Sequence, residues 1–146
     1  LNDVVRAACE FTDAIAREAG VDTTVRFEAK DDLVVINKVQ IEQVVVNLKR
    51  NAIDAMHGCQ KREMIVSTQS VEGDMIRVDV ADTGPGLAED VRSRLFQPFT
   101  TTKPHGLGVG LSISRSIIED HHGKLWAEDN PGGGTIFSFA LPLPRT

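Results

Sequence analysis

Two asparagines in one helical segment are the first residues whose type and spacing suggest chemistry. Asn47 and Asn51 lie four positions apart, so in a helix their amides project from the same face, one turn from each other. Asparagine is a mediocre helix former, and here the pair interrupts an otherwise apolar stripe. Neutral amides can offer oxygen to Mg²⁺ and donors to phosphate. The alternative is two asparagines at a helix edge that bond to nearby backbone.

An aspartate follows a segment rich in β-forming residues. Asp82 precedes Gly84-Pro85-Gly86, which places a carboxylate at a strand end beside flexible backbone. A carboxylate in this position can accept a hydrogen bond from an exocyclic amine, such as that of adenine. One alternative is a turn aspartate with no ligand. Another is the Asp-Thr-Gly of aspartic proteases, which would require a second such motif that this sequence lacks.

A glycine-rich segment before the predicted last helix is the third candidate. Its sequence is Gly106-Leu107-Gly108-Val109-Gly110-Leu111, and such glycines let backbone N–H groups approach phosphate at the positive end of a helix. The spacing matches neither a dinucleotide-binding fingerprint nor a P-loop. A flexible linker is the alternative. Lys103, in the same loop, can reach a terminal phosphate or be an exposed lysine without a role.

Helical periodicity predicts the elements that position these residues. A first helix is capped by Asn2 or Asp3 and runs to about Ala19, where Gly20 stops it. Its inward face is predicted to carry Val4, Ala8, Phe11 and Ile15.

Two further long helices are predicted at about residues 38–57, ended by Gly58, and 111–121. A short helix is expected at 88–95. The stretch 97–110 lacks periodicity, and a loop of that length in a compact domain is typical of a functional lid.

Strand patterns alternate with these helices. We predict about six, at residues 25–28, 33–36, 64–71, 75–81, 125–127 and 135–141. Adjacent strands are joined by turns, which favours a mixed, largely antiparallel sheet covered by the three helices on one face. The predicted fold class is an α+β two-layer sandwich.

Composition limits the classes of function. At 146 residues the chain fits one domain. Its 16 basic and 21 acidic residues give a net charge of −5, which argues against a broad nucleic-acid or membrane footprint but allows a small anionic ligand. The two cysteines form neither a zinc motif nor a disulfide pattern, so a reducing compartment is expected. No apolar run is long enough to span a membrane.

Taken in order, these motifs resemble the ATP-binding catalytic domain of two-component sensor histidine kinases, in the superfamily that also contains DNA gyrase, ninety-kilodalton heat-shock chaperones and mismatch-repair ATPases. The similar segments are Gln43–Met56 (N box), Asp82–Gly86 (first glycine box), Leu95–Phe99 (F box), Gly106–Leu111 (second glycine box) and Gly132–Thr135 (final glycine-threonine element). The resemblance implies a single domain over 1–146. Its parts are a helix and first strand in 1–32, a motif-bearing core in 33–141 and an ATP lid over 97–110.

For the base, the resemblance implies that Asp82 binds the adenine amino group, helped by Thr135 through water. Gly84 and Gly86 would let the base approach.

For the phosphates, the resemblance implies that Asn51 ligates Mg²⁺ and Asn47 contacts the phosphate groups. The lid would close over the triphosphate, with the second glycine box, chiefly the backbone of Gly108 and Gly110, meeting it. Lys103 is a weaker assignment of the same kind.

The same resemblance bears on the reaction. Hydrolytic relatives carry a water-activating glutamate one turn before the metal asparagine, whereas this chain has Asn47, and an amide cannot be a general base. The implied function is transfer of the γ-phosphoryl group of Mg-ATP to a histidine on a separate dimerisation domain of the parent kinase. A response regulator would be the downstream partner, and the location would be cytoplasmic. The phosphoacceptor domain is expected to be absent from this chain.

Three alternatives remain open at this point. They are an ATPase clamp of the gyrase or chaperone class, a serine kinase of the same fold, and a nucleotide-binding module without catalysis. Asn47 argues against the first, the F box and long lid against the second, and the complete motif set against the third.

Overall fold

A computed structural model of the chain describes residues 1–29, 34, 36–87 and 107–143, with the backbone alone for 107–110. These described residues form three helices and five strands. In chain order they are α1 Asn2–Glu18, β1 Asp22–Phe27, α2 Lys38–Ala55, β2 Glu63–Val71, β3 Met75–Ala81, α3 Leu107–Asp120, β4 Lys124–Asp129 and β5 Thr135–Pro142.

The strands form one sheet in the order β1-β2-β3-β5-β4. β1 pairs with β2 in parallel, and the other three pairings are antiparallel. The predicted hairpin is present as β2 and β3, and its turn contains Gly73 at φ 82° and Asp74 at φ 56°. Glycine and aspartate are among the residues that tolerate this left-handed conformation. The mixed, largely antiparallel sheet of an α+β sandwich is therefore confirmed.

The hydrophobic core lies between one face of the sheet and the helices. Successive strand residues point to opposite faces, so alternate residues of β3, namely Ile76, Val78 and Val80, are buried. Both α1 and α3 pack against α2. α2 is therefore the central helix of the helical layer.

α1 differs from its prediction at its start and on its face. Leu1 is the N-cap and makes no side-chain capping bond. Asn2 is instead drawn into tertiary contacts: its Oδ1 accepts from Thr68 Oγ1 at 2.8 Å. Phe11, predicted to face inward, is 66% exposed. The buried face of α1 includes Val5, Ala8 and Thr12, so the inward position is that of Thr12, one residue after Phe11. The predicted stop is confirmed, since Gly20 has φ 68°.

α2 agrees with its prediction. Its N-cap Asn37 accepts a hydrogen bond from Gln40 N–H at 3.1 Å, which satisfies one of the otherwise unpaired first-turn donors. The predicted apolar stripe is buried, with Ile41, Val44, Val45, Leu48 and Ala52 in the core. Gly58 follows the helix at φ 80°.

α3 begins one turn earlier than predicted. The sequence pattern placed residues 107–110 in the loop and the helix start at Leu111, but the helix begins at Leu107. Glycine opposes helix only by about 1 kcal/mol, and packing of Leu111, Ile117 and Ile118 into the core outweighs it.

Other predictions fall outside the described residues. The helix at 88–95 and most of the lid at 97–110 lie there. Of the strand predicted at 33–36, Val34 and Ile36 are described and neither belongs to a strand. Within the described part of the chain, no helix combines the length and apolarity needed to cross a membrane.

His122 occupies a strained position after α3. Its φ of 64° is left-handed, which costs an ordinary L-residue about 1–2 kcal/mol, and its side chain is exposed. We expect His122→Gly to raise the free energy of unfolding by about 0.5–1 kcal/mol, because relief of strain exceeds the entropy cost of glycine. Urea denaturation measures this, with Lys124→Gly in β4 as control. The control should be destabilising, and equal losses in both variants would contradict the account.

Candidate functional site

Asp82 is a buried carboxylate fixed between two strands. It follows the last residue of β3 and is 1% exposed. Its Oδ1 accepts two backbone hydrogen bonds, from Gly84 N–H at 3.0 Å and from Thr135 N–H at 3.1 Å. Its own N–H donates to the Thr135 carbonyl at 2.9 Å. The orientation of the carboxylate is therefore set by the backbone of β5 and of the adjoining loop.

Glycines make this arrangement sterically possible. A Cβ on Gly134, which has φ 107°, would lie 2.0 Å from the Asp82 carbonyl oxygen and 2.9 Å from Oδ1. A Cβ on Gly84 would lie 2.9 Å from the Ala55 carbonyl oxygen. Gly86 has φ 83° and adopts a backbone conformation that side chains disfavour. Gly134 and Gly84 therefore accept glycine alone without movement of the aspartate or of the end of α2.

Two further residues hold the Asp82 segment. Asn130 Nδ2 donates to the Asp82 carbonyl at 2.6 Å. Thr83 Oγ1 accepts from Glu63 N–H at 3.0 Å and lies 3.2 Å from the Lys61 carbonyl. The sequence analysis missed Asn130 because asparagine before Pro-Gly-Gly-Gly has the signature of a turn, and nothing in that pattern identifies its distant partner.

Asn51 presents a buried oxygen without a donor. The residue is 6% exposed, and its Oδ1 has no hydrogen-bond partner in the described structure. A buried amide oxygen in this condition is destabilising unless a ligand satisfies it. Asn51 lies one helical turn before Ala55, whose carbonyl borders Gly84. Asn51 is thus one helical turn from the part of α2 that borders the Asp82 loop, and its oxygen is of the chemical type that Mg²⁺ binds.

Asn47, one turn earlier, contacts the neighbouring helix. Its Nδ2 donates to Ser114 Oγ of α3 at 3.3 Å, and Ser114 is fully buried. Sequence reasoning overlooked Ser114, because a serine within a helical pattern has no spacing that predicts its partner. The contact fixes the Asn47 amide at the boundary between α2 and α3.

The first turn of α3, two helical turns before Ser114, carries backbone donors. The first N–H groups of a helix have no intrahelical acceptor, and here they include those of residues 107–109, within the second glycine box. The helix dipole adds positive potential at that end. Leu111, also predicted as a contact residue, has its side chain in the core. Lys103 and Gly106 lie outside the described residues.

The structure thus relates the predicted site residues through α2. One end of α2 borders the Asp82 loop through Ala55, and its middle contacts α3 through Asn47. Thr135, at the start of β5, is buried and bonded to Asp82. A carboxylate, two amides and a helix N-terminus on neighbouring elements form a set suited to a ligand with a base at one end and phosphates at the other.

The comparisons with known proteins agree on one family. The sequence model described as histidine kinase-, DNA gyrase B- and HSP90-like ATPase matches residues 36–145. The sensor protein FixL of Bradyrhizobium diazoefficiens is 49% identical over 97% of this chain, which covers 28% of that protein. The chain therefore spans little more than a quarter of this relative.

Solved structures show the same fold. The catalytic domain of histidine kinase ThkA has a TM-score of 0.86 at 34% identity, with 97% of this chain and 91% of that domain covered. Full-length ShkA in complex with AMPPNP has a TM-score of 0.85 at 25% identity, with 99% of this chain and 30% of that chain covered. On the sequence match and these shared folds, the chain belongs to the histidine kinase-, DNA gyrase B- and HSP90-like ATPase family, and it resembles the sensor histidine kinases within it.

Proposed function

We propose that this chain binds Mg-ATP and transfers the γ-phosphoryl group to a histidine of a separate dimerisation domain in two-component signalling. The observation that carries the proposal is the Asp82 carboxylate, buried at the end of β3 with Oδ1 bonded to the backbone of Gly84 and Thr135. A buried carboxylate held in one orientation is suited to select a base with an amino donor.

At the base end, Oδ2 of Asp82 is the atom proposed to accept from the adenine 6-amino group. The two backbone donors on Oδ1 set the plane of the carboxylate, so a planar base is bound in one register. Gly84 and Gly86 are proposed to let that base approach. Thr135 is proposed to assist through a bridging water.

At the phosphate end, Asn51 and Asn47 are proposed to act together. The buried Oδ1 of Asn51 fits Mg²⁺, which when bound neutralises charge on the phosphates. Asn47 is proposed to contact phosphate from the boundary with α3, where Ser114 orients its amide. The backbone of the second glycine box, including the first N–H groups of α3 at residues 107–109, is proposed to contact the same phosphates. Lys103 is proposed to reach the terminal phosphate from the lid.

The reaction type follows from Asn47. Hydrolysis by this fold needs a general base near the attacking water, and an amide has no proton affinity suited to that role. Transfer to an acceptor histidine needs no such base on this chain. The ATPase and serine-kinase alternatives therefore have less support from the residues at the site.

The proposed partners follow from the resemblance and from charge. They are the phosphoacceptor dimerisation domain of the parent kinase and, downstream, a response regulator, in the cytoplasm where ATP is available. With a net charge of −5, the domain is not expected to bind nucleic acid or an anionic membrane surface.

Phosphotransfer can be tested directly. The chain is incubated with γ-labelled ATP and Mg²⁺, with and without a dimerisation domain from the same parent protein. Label on the added domain that is acid-labile and base-stable supports transfer to histidine. Acid-stable label would indicate a hydroxyl acceptor, and rapid phosphate release by the chain alone would indicate an ATPase.

Asp82→Asn tests base recognition. The amide oxygen can keep both backbone bonds, but an NH₂ group then meets the adenine amine, so ATP affinity should fall about a hundredfold. Inosine triphosphate has an oxygen at that position and should bind the variant better than it binds the parent chain. Calorimetry with both nucleotides measures the switch, and unchanged ATP affinity would refute the assignment.

Gly134→Ala tests the close packing of Gly134 against Asp82, with Gly133→Ala as a matched control. Both residues have positive φ, 107° and 118°, so both substitutions strain the backbone. Only at Gly134 would the new Cβ meet Asp82, since nothing lies within 4 Å of the site at Gly133. We expect a loss of about tenfold or more in ATP affinity for Gly134→Ala beyond the control. Equal ATP affinities of the two variants in calorimetry would show that the packing of Gly134 against Asp82 is not needed for ATP binding.

Asn51→Ala tests the metal ligand. Without the amide oxygen, ATP should bind with the same affinity in Mg²⁺ as in EDTA, whereas the parent chain should bind more tightly with Mg²⁺. Asn51→Asp restores an oxygen ligand and should restore the dependence on Mg²⁺. A Mg²⁺ effect that survives in Asn51→Ala would assign the metal to other groups.

A further inference from the structure

Lys49 is a buried cation on the central helix. It is 1% exposed and one of the largest fully buried side chains of the described structure. Its place in α2 belongs to the apolar pattern, four residues after Val45 and three before Ala52, where helical spacing calls for a hydrophobic residue. The described residues provide its ammonium group with no hydrogen bond or ion pair. Burying a charge in this way is costly unless a counter-charge is supplied.

Lys49 lines a cavity of about 300 Å³ between α1, β1 and α2. Thr23, on β1, lines the same cavity. The Thr23 hydroxyl oxygen is also buried, with no hydrogen-bond partner in the described structure. A buried lysine and a buried hydroxyl donor therefore line one cavity that is partly open to solvent.

This cavity is separate from the proposed nucleotide site. Lys49 lies two residues from both Asn47 and Asn51, and two residues correspond to about 200° around a helix. Its side chain consequently lies on the opposite side of α2 from the asparagines. The Asn47 side contacts α3 through Ser114, whereas the Lys49 side faces α1 and β1.

The other walls of the cavity define what would fit. Val25 and Phe27 of β1 supply apolar surface, and Glu10 and Asp13 of α1 contribute carboxylates. Asp13 is paired with Arg17 at 3.6 Å. Arg6 of α1 also lines the cavity, but it lies over the Phe27 ring and pairs with Asp3 at 3.1 Å. Two carboxylates beside the remaining cation, Lys49, oppose a multiply charged anion, so a single negative charge is favoured.

We propose that the cavity binds a small organic monoanion, a carboxylic acid with an apolar body. Its carboxylate accepts from the Lys49 ammonium and the Thr23 hydroxyl, which satisfies both buried donors. Its apolar body packs against Val25 and Phe27. A volume of about 300 Å³ is at the small end of ligand sites and suits a molecule with roughly ten heavy atoms. The proposal does not depend on the proposed kinase function.

Benzoate is the probe, with benzamide as its neutral counterpart and inorganic phosphate as the multiply charged one. Amide NMR titration of the whole chain should show saturable benzoate binding with a Kd of about 1 mM or lower. The shifts should centre on residues 9–13, 23–27 and 49. Benzamide and phosphate should bind at least about tenfold more weakly.

Lys49→Met removes the charge and keeps the volume. Benzoate affinity should fall about tenfold or more, and resistance to urea should stay the same or rise because a buried charge is gone. ATP affinity should be unchanged. Thr23→Val is the second variant and should weaken benzoate without affecting benzamide.

Several outcomes would overturn the proposal. They are benzoate binding by Lys49→Met within about twofold of the parent chain, equal affinity for benzoate and benzamide, shifts confined to other residues, and no saturation by about 10 mM.

Discussion

The exchange of hydrogen bonds between Asp82 and Thr135 is the constraint on which the site depends. The backbone ladder of β3 and β5 extends to Ala81 opposite Ile136. One step further, Asp82 N–H donates to the Thr135 carbonyl, but Thr135 N–H donates to the Asp82 side chain. A carboxylate oxygen thus takes the place of a backbone carbonyl in an antiparallel pair. Because the last pairing of the sheet includes the carboxylate, its position is as well fixed as the strands, and Gly134 is required beside it.

α2 extends that constraint across the molecule because it is held at both ends. At its start, Asn37 N–H donates to His121 Nε2 at 3.0 Å, which joins the helix to the end of α3. At its other end, the carbonyl of Ala55 is so close to Gly84 that a Cβ would lie 2.9 Å away. A helix fixed at two points has little freedom to slide or rotate. Asn47 and Asn51 are consequently held relative to the aspartate without a direct bond to it.

Hydrophobic periodicity and turn residues in the sequence predicted the elements whose structure is determined locally. The extent of α2, the β2–β3 hairpin and the strand-end position of Asp82 follow from such signals. Features set by distant contacts could not be predicted. Asparagine is a common helix cap, but Asn2 accepts a hydrogen bond from Thr68 and lies inside α1. Ser114 matters through Asn47, 67 positions away. The glycines before Leu111 predicted a loop, and core packing made their segment helical.

The burial of Lys49 is a feature that the sequence analysis did not predict. A lysine in a helix predicts a solvated face, yet this one is buried on the side of α2 opposite the asparagines. α2 therefore carries a buried polar atom without a partner on one side, the Asn51 oxygen, and a lysine that is 1% exposed on the other. Native proteins retain few buried polar atoms without a partner and bury few lysines to this extent. Each of these two groups also lies next to space or backbone suited to a ligand of the complementary charge, a cation for the oxygen and an anion for the ammonium. Binding of the proposed ligands would offset these costs, which would link occupancy of either side to the stability of the helix that both share.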